Sequence, residues 1–536
     1  MRVVRPIMLM AMLVSWSALH AQRADNYPPD NTNVRLEKTN LPIVFVEVDH
    51  AMILRTDYIT ARMKIIDNGK GNFNYADTVA HPGQHIDYNG YIALRYRGNT
   101  SFSQCDKKPY AFRPLDKPLE NGGEKKKVSL LGMGKDNKWA LLAPYSDKSM
   151  LRDLLTFEVS RPWMDYTPQG RYCEIFLDGI YYGVYILTEV ISKGAHRLNL
   201  DDPGESGDEL TGGYLLEVDS YDGSSCIQSR YLPRSSSGTI YSCPVYYLYQ
   251  SPDYEDMTPE QIQYIKDQIN AMEKAMASND YCDPLTGYRR YIDEMSFVDF
   301  QLAQELSHNV DGYRKSSKFF KHRDSQDPRF KMAIWDFNIA YGNYWKYENW
   351  RTDTWIYQSN DILYNNGDRV LVPFWWYQLN RDPYYTGLVK ARWKQYRRNN
   401  VSDERIMATI DSLATVLTQY GAESRNSQAW PRWGVRVWPN YYVANSYQDE
   451  IQYLKNWLTA RLAWMDEQLE YIPGVYIRGD LNDDGLITID DVTCLIDYLL
   501  DGSNDIATES ADCNQDGTID ITDVTTLIDY LLNDKW

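Results

Sequence analysis

Apolar and polar residues change their spacing along this chain, and the changes predict its elements. Half-buried strand patterns mark Leu41 to Asp49, Tyr91 to Tyr96 and Lys108 to Arg113. Arg171 to Glu189 reads as a hairpin, with CEIFLDG and YYGVYILTE on either side of a short turn at Asp178 and Gly179. SKFFKHRD and RFKMAIWD read as a second hairpin. Helical signals dominate later. Thr258 with Pro259 opens one helix, Ser296 opens SFVDFQLAQELSHN, and Ile451, Leu454, Leu458, Leu462, Met465 and Leu469 form a core-facing stripe. Strands first and helices mostly later predict an α+β domain.

The chain has 536 residues, 43% hydrophobic and 14% aromatic, which is enough to bury a large core and more than one folding unit. Its first residues, MRVVRPIMLMAMLVSWSALHAQ, place two arginines before an apolar run and small residues. That pattern predicts a secretory signal peptide over 1–21. No later stretch approaches the ~20 apolar residues needed to span a bilayer, so the expectation is a secreted or cell-surface protein. Of the seven cysteines, Cys226 and Cys243 flank a Ser-rich segment and are the expected bridge. Cys105 and Cys173 read as small buried residues.

The net charge of −18 is uneven. From Arg478 onwards, fifteen Asp and Glu stand against Arg478 and Lys535, a balance of −13. Such local acidity points to bound cations and not to nucleic acid. Within this tail DLNDDGLITIDD recurs as DCNQDGTIDITD, and each copy precedes a near-identical helix. Oxygen side chains fall at loop positions 1, 3 and 5: Asp480, Asn482, Asp484 and Asp512, Asn514, Asp516. Gly485 and Gly517 permit the sharp turn, Leu486 and Thr518 offer carbonyls, and Asp491 and Asp523 close the sets. Calcium takes about six to eight oxygens, and alternate residues of a tight loop supply them.

The aspartate at position 12 and the missing first helix depart from an EF-hand. The tail instead resembles the type I dockerin, a paired loop-helix module. That resemblance implies two calcium ions and a cohesin-like or other protein partner. Ile489 with Asp490, and Ile521 with Thr522, replace the Ser-Thr pairs of well-known cohesin binders, which leaves the partner open. Pro473 and Gly474 mark a linker, 473–477, between residues 22–472 and the module at 478–536.

Six segments of the body, ALRYRGNTSFSQCDKKPYAFR, WALLAPYSDKSMLRDLLTFEVSR, GVYILTEVI, GGYLLEVD, NVDGYRKSSKFF and IWDFNIAYGN, resemble the spore coat protein H (CotH) kinase family. The resemblance implies an atypical kinase-like core using ATP and Mg or Mn. Phosphoryl transfer needs a cation on the phosphates, a carboxylate for the acceptor and another for the metal. Asp311 matches the catalytic-loop aspartate, and Asp336 the metal-binding aspartate of Asp-Phe-Gly. Ser316 stands where a kinase carries a second metal-binding residue, an asparagine, so Asn338 or Asn343 are substitutes. Lys108 is the expected phosphate-binding lysine, oriented by Glu189, with Lys107 as its competitor. Arg152 is a second phosphate candidate.

Three functions follow. The first is a secreted CotH-like kinase acting on an unknown protein or other extracellular acceptor. The second is a non-catalytic surface protein that keeps the fold as a binding module. The third is a carbohydrate-active enzyme whose Trp375 and Trp376 stack on sugars, although PFWWYQL reads equally as core.

Overall fold

The computed structural model describes residues 34–536 apart from 475, 483–485, 503–505, 507 and 534. The expected signal peptide, and Asp484 with Gly485 of the first acidic loop, lie outside the described residues. Seven strands close into a barrel, in the order Ile43–Glu47, Ile59–Ile66, Ile86–Tyr96, Tyr110–Leu115, Trp139–Leu142, Ile180–Glu189 and Gly170–Leu177. The circle is completed by a parallel pairing of Ile43–Glu47 with Gly170–Leu177. Closure leaves no strand edge open to another chain. Because side chains alternate along a strand, Ile92, Leu94, Tyr110, Phe112, Trp139 and Leu141 fill the interior. Ala93, Arg95, Ala111, Arg113 and Ala140 take the other face.

A second, antiparallel sheet follows, in the order Cys226–Gln228, Tyr246–Ser251, Tyr214–Asp219, Ser317–Lys321 and Phe330–Ala333. Helices Pro259–Ala277, Glu294–Ser307 and Tyr447–Gln468 contribute to the large core shared with this sheet. The α+β expectation holds, but the strands divide between a barrel lobe and a helix-packed lobe.

The local signals are realised. Asp178 and Gly179 both take positive φ, 48° and 77°, in the tight turn between Gly170–Leu177 and Ile180–Glu189. Thr258 caps Pro259–Ala277 through a reciprocal box with Gln261. All six residues of the C-terminal stripe are buried. Two expectations are corrected. The helix expected to begin at Ser296 is capped by Asp293, whose carboxylate accepts from the Ser296 N–H. The Ser296 hydroxyl instead accepts from the Met332 N–H and ties helix to strand. Cys226 and Cys243 are both free thiols, Cys226 on a strand and Cys243 buried beside Leu363 and Leu371.

The barrel is finished by a late part of the chain. Helix Ala422–Ala429 lies against Ile180–Glu189, and Trp430 joins the barrel core while its indole N–H donates to the Tyr182 carbonyl. The Asn426 Oδ1 accepts from the Lys107 ammonium at 2.9 Å and from the Val184 N–H at 3.0 Å. A Cβ on Gly183 would stand 2.5 Å from that oxygen, and φ there is +93°, so only glycine fits. Burial drives the Lys107 pKa well below its ordinary value. Asn426→Leu is expected to lower the thermal midpoint, because it takes an acceptor from the buried Lys107 amine, which keeps only the Val184 carbonyl, and from the Val184 N–H, at a cost of about 1–3 kcal/mol. Adding Lys107→Met should recover only part of the loss, since the Val184 N–H still lacks its acceptor.

Candidate functional site

Pairing of Lys318 with Ala333 makes Ser317–Lys321 and Phe330–Ala333 a hairpin, so the chain enters and leaves at one sheet edge. Asp311 lies just before this hairpin and Asp336 just after it. Asn309 joins the two loops, its amide donating to the Asp336 carbonyl at 3.1 Å. Asp336 has φ +66°, a left-handed conformation that an aspartate tolerates and a β-branched residue does not.

Three further carboxylates converge there. Strand Tyr214–Asp219 contributes Glu217 and Asp219, two positions apart and therefore on one face. Asp153, in helix Arg152–Ser160, accepts from the Phe337 N–H at 2.7 Å. Burial, then the charge of Asp311, raise the Asp336 pKa to about 6; Arg97 opposes this, and Asp219 and Glu217 add to it. Burial, then Asp336, raise Asp153 to about 8, against the Phe337 hydrogen bond and Arg97. The Asp336 side chain remains partly exposed, so a ligand can reach it.

Across from these acids lies the Arg97 guanidinium, 5.1 Å from the Trp335 ring centroid. Its Nη1 is buried and makes no hydrogen bond. Farther along the barrel face, burial and the neighbouring Arg113 lower the Lys138 ammonium below its usual range. The barrel lobe thus presents the Arg97 guanidinium to a cluster of side-chain oxygens.

The remaining expected residues fall differently. Asp311 accepts from Arg314 at 2.9 Å and pairs with Lys315 at 3.2 Å. Asn338 donates to the Asp336 Oδ1 at 2.8 Å, whereas Asn343 spends its amide on the Ser146 and Asn338 carbonyls. Ser316 acts through its backbone, whose N–H holds the Asp219 carboxylate at 3.2 Å. The Lys108–Glu189 pair is not formed. Lys108 donates to the Phe102 and Cys105 carbonyls, both at 2.6 Å, at the end of helix Thr100–Gln104. Glu189 is taken by Arg197, Tyr166 and the Gln169 N–H. Lys107 points into the barrel, so neither lysine enters the cleft. Arg152 is fully buried between Asp147 and Glu450, where it braces the fold. Arg97 and Asp219 were present in the quoted segments RYRGNTS and GGYLLEVD, and the Glu-x-Asp alternation in the second was the available signal. Trp375 and Trp376 are buried, so neither offers a face to a sugar.

In the tail, Asp480, Asp491 and Asp523 are fully buried. The Asp491 carboxylate accepts from the N–H groups of Leu481, Asn482 and Thr488, and Asp523 from those of Asn514 and Asp520. Asp512 accepts from Asp516 and Gly517, and the Thr518 N–H donates to Asp516. Burying several carboxylates in an oxygen-lined loop fits a divalent cation. Among the described residues, no three His, Cys, Asp or Glu side chains are arranged closely enough to hold a metal ion without rearrangement. Helices Ile489–Asp501 and Ile521–Asn533 expose matched apolar residues: Ile489 and Ile521 at 65% and 64%, Leu500 and Leu532 at 79% and 75%.

A barrel lobe and a helical lobe meeting over an acidic cleft, with a paired loop-helix module behind, define a two-lobed kinase-like protein carrying a docking module. A family model described as CotH kinase protein matches residues 94–465, and one described as Dockerin type I domain matches 478–532. The chain belongs to the CotH kinase family and ends in a type I dockerin, which implies calcium binding and a cohesin partner. Comparison with curated proteins finds no match. Among the described residues no helix is long and apolar enough to cross a membrane.

Both Asp153 and Asp336 hold protons more tightly in the folded chain than in the unfolded one. Their contribution to stability is therefore largest below the ordinary carboxylate range and falls as pH rises towards about 8. In chelator, Asp153→Asn is expected to flatten that fall, measured as thermal midpoints of both proteins from pH 4 to 8.

Proposed function

We propose that this protein is an exported, ATP-dependent kinase that acts on a protein or other extracellular hydroxyl and is tethered to a partner through its dockerin. The carrying observation is the buried, unpartnered Nη1 of Arg97 facing three carboxylates, two of them with raised pKa values. A buried guanidinium with a free donor facing a cluster of carboxylates fits a phosphate together with the Mg or Mn that would accompany it. Asp336, Asp219 and Asn338 would hold the metal, and Arg97 would take a phosphate oxygen. A metal bound there neutralises phosphate charge during transfer.

Asp311 would accept the acceptor hydroxyl's proton as its oxygen bonds to the terminal phosphorus and the bond to the departing ADP oxygen breaks. Arg314 and Lys315 fix that carboxylate in place. The same two cations, with Ser316 at the second metal position, favour the alternative reading of a non-catalytic binding module. In the dockerin, Asp480, Asn482, Asp484, the Leu486 carbonyl and Asp491 would form one calcium site. Asp512, Asn514, Asp516, the Thr518 carbonyl and Asp523 would form the other. The matched apolar residues of its two helices would meet the partner. Export would follow from residues 1–21.

Asp336→Asn is expected to lose metal-dependent ATP affinity and transfer together. Asp311→Asn should keep ATP affinity and lose on the order of 10²-fold or more in transfer. Isothermal titration with Mg-ATP and labelled-phosphate incorporation separate the two. Wild-type ATP binding without incorporation on any acceptor would establish the alternative.

Calcium added to the chelated full chain should raise its helical circular dichroism, and Asp480→Ala with Asp512→Ala should abolish the rise. An unchanged spectrum in the wild type would count against calcium-driven folding of the module.

A further inference from the structure

The helical lobe holds a cavity of about 220 Å³ at one end of its sheet. Two adjacent strands form its floor. Val218 and Asp219 end one, Val245 and Tyr246 begin the other, and Asp219 is in register with Tyr246. Val370 and Leu371 form the opposite wall, and Pro244 with Tyr221 the rim. The Tyr221 ring stacks on Tyr246 at 5.1 Å and is 56% exposed.

One side chain links this cavity to the site. Arg314 lines it, donates to the Val370 carbonyl at 2.7 Å and to Asp368 at 2.9 Å, and holds Asp311 with its other nitrogen. Asp219, on the floor, accepts at 3.2 Å from the N–H of Ser316, in the loop that follows Asp311. The cavity therefore shares Arg314 with Asp311 and carries Asp219 in its floor.

Its chemistry is specific. The walls are chiefly aliphatic and aromatic, and about 150 Å³ is enough to hold a benzene ring. Arg369 stands exposed at the edge, its guanidinium 4.1 Å from the Tyr364 ring and donating to the Tyr364 and Asp368 carbonyls. Among the described residues it makes no ion pair with a carboxylate. An apolar slot beside an exposed guanidinium that pairs with no carboxylate among the described residues suits an aromatic side chain with an acidic neighbour.

We propose that this cavity is the acceptor-side subsite and that it takes an aromatic residue flanked by a carboxylate in an extended peptide. The inference rests on the kinase reading. The anchor lies within a few residues of the phosphorylated hydroxyl, given about 3.3 Å per extended residue. The aromatic ring sits against Val218, Val245 and Leu371 beneath Tyr221, and the acid pairs with Arg369. This gives selectivity to a site whose aspartates recognise only a hydroxyl and a metal.

The test uses the full chain and fluorescent synthetic peptides that carry one serine, with Trp-Asp, Trp-Ala, Ala-Asp or Ala-Ala two residues away. Anisotropy without nucleotide should show the Trp-Asp peptide binding at least 10-fold tighter than Ala-Ala. Arg369→Glu should abolish the preference for Asp, and Tyr221→Ala should weaken that for Trp. Both residues are exposed, so neither change threatens folding, and Mg-ATP affinity should be unaltered in both. Equal affinity for the four peptides, or preferences that survive both substitutions, would overturn the subsite. Peptide preference with no phosphate incorporation would instead overturn the kinase reading and leave the subsite standing as a binding pocket.

Discussion

Like charges held together against their repulsion are the constraint on which this structure depends. Asp336, Asp153, Asp219, Glu217 and Asp311 come from four separate stretches of chain, and water would keep them apart. Two lobes, each with its own core, force them into one cleft. Arg97 reaches in from the barrel, and Arg314, Lys315 and Lys318 pair with Asp311 and Glu217, but among the described residues Asp336 and Asp153 form no ion pair. Raised proton affinity at Asp153 and Asp336 records that imbalance. Much of the surrounding architecture resists it: Asn309 bridges the two loops, the Ser316 N–H anchors Asp219, and Lys318 pairs with Glu217 at 3.0 Å.

What could be read in the sequence was what neighbours decide. The Asp178-Gly179 turn, the Thr258 cap and the C-terminal stripe depend on residues a few positions apart, and each appears where its pattern puts it. Asp311 and Asp336 were legible because one hairpin, with strands of five and four residues, separates them. Barrel closure was not, since it pairs Ile43–Glu47 with a strand more than a hundred residues later. The lysine assignment failed for a related reason. Alternation says that Lys107 and Lys108 point opposite ways, but not that Asn426 waits inside the barrel for one and a short helix end for the other. Arg97 and Asp219 matter through partners far away in sequence, which no local pattern shows.

The dockerin poses the same electrostatic problem in miniature. Its loops bury carboxylates that accept hydrogen bonds from the backbone N–H groups around them. Its helices leave duplicated apolar residues outside. Two copies of one solution, related by repetition, therefore present two similar faces, and the module carries its partner-facing chemistry independently of the cleft.

The Asn426 clasp has a consequence for how the protein is made. The barrel's strands are all synthesised by residue 189, yet the residue that receives Lys107, and the indole of Trp430 that fills the core, leave the ribosome some 240 residues later. Until then the barrel carries an open seam and an amine held by the Val184 carbonyl alone. The first lobe to be translated is thus among the last to be completed, and its final closure waits until nearly the whole helical lobe has emerged. Assembly of the cleft and completion of the barrel become a single late event, so a nascent chain cannot present a finished half of the cleft.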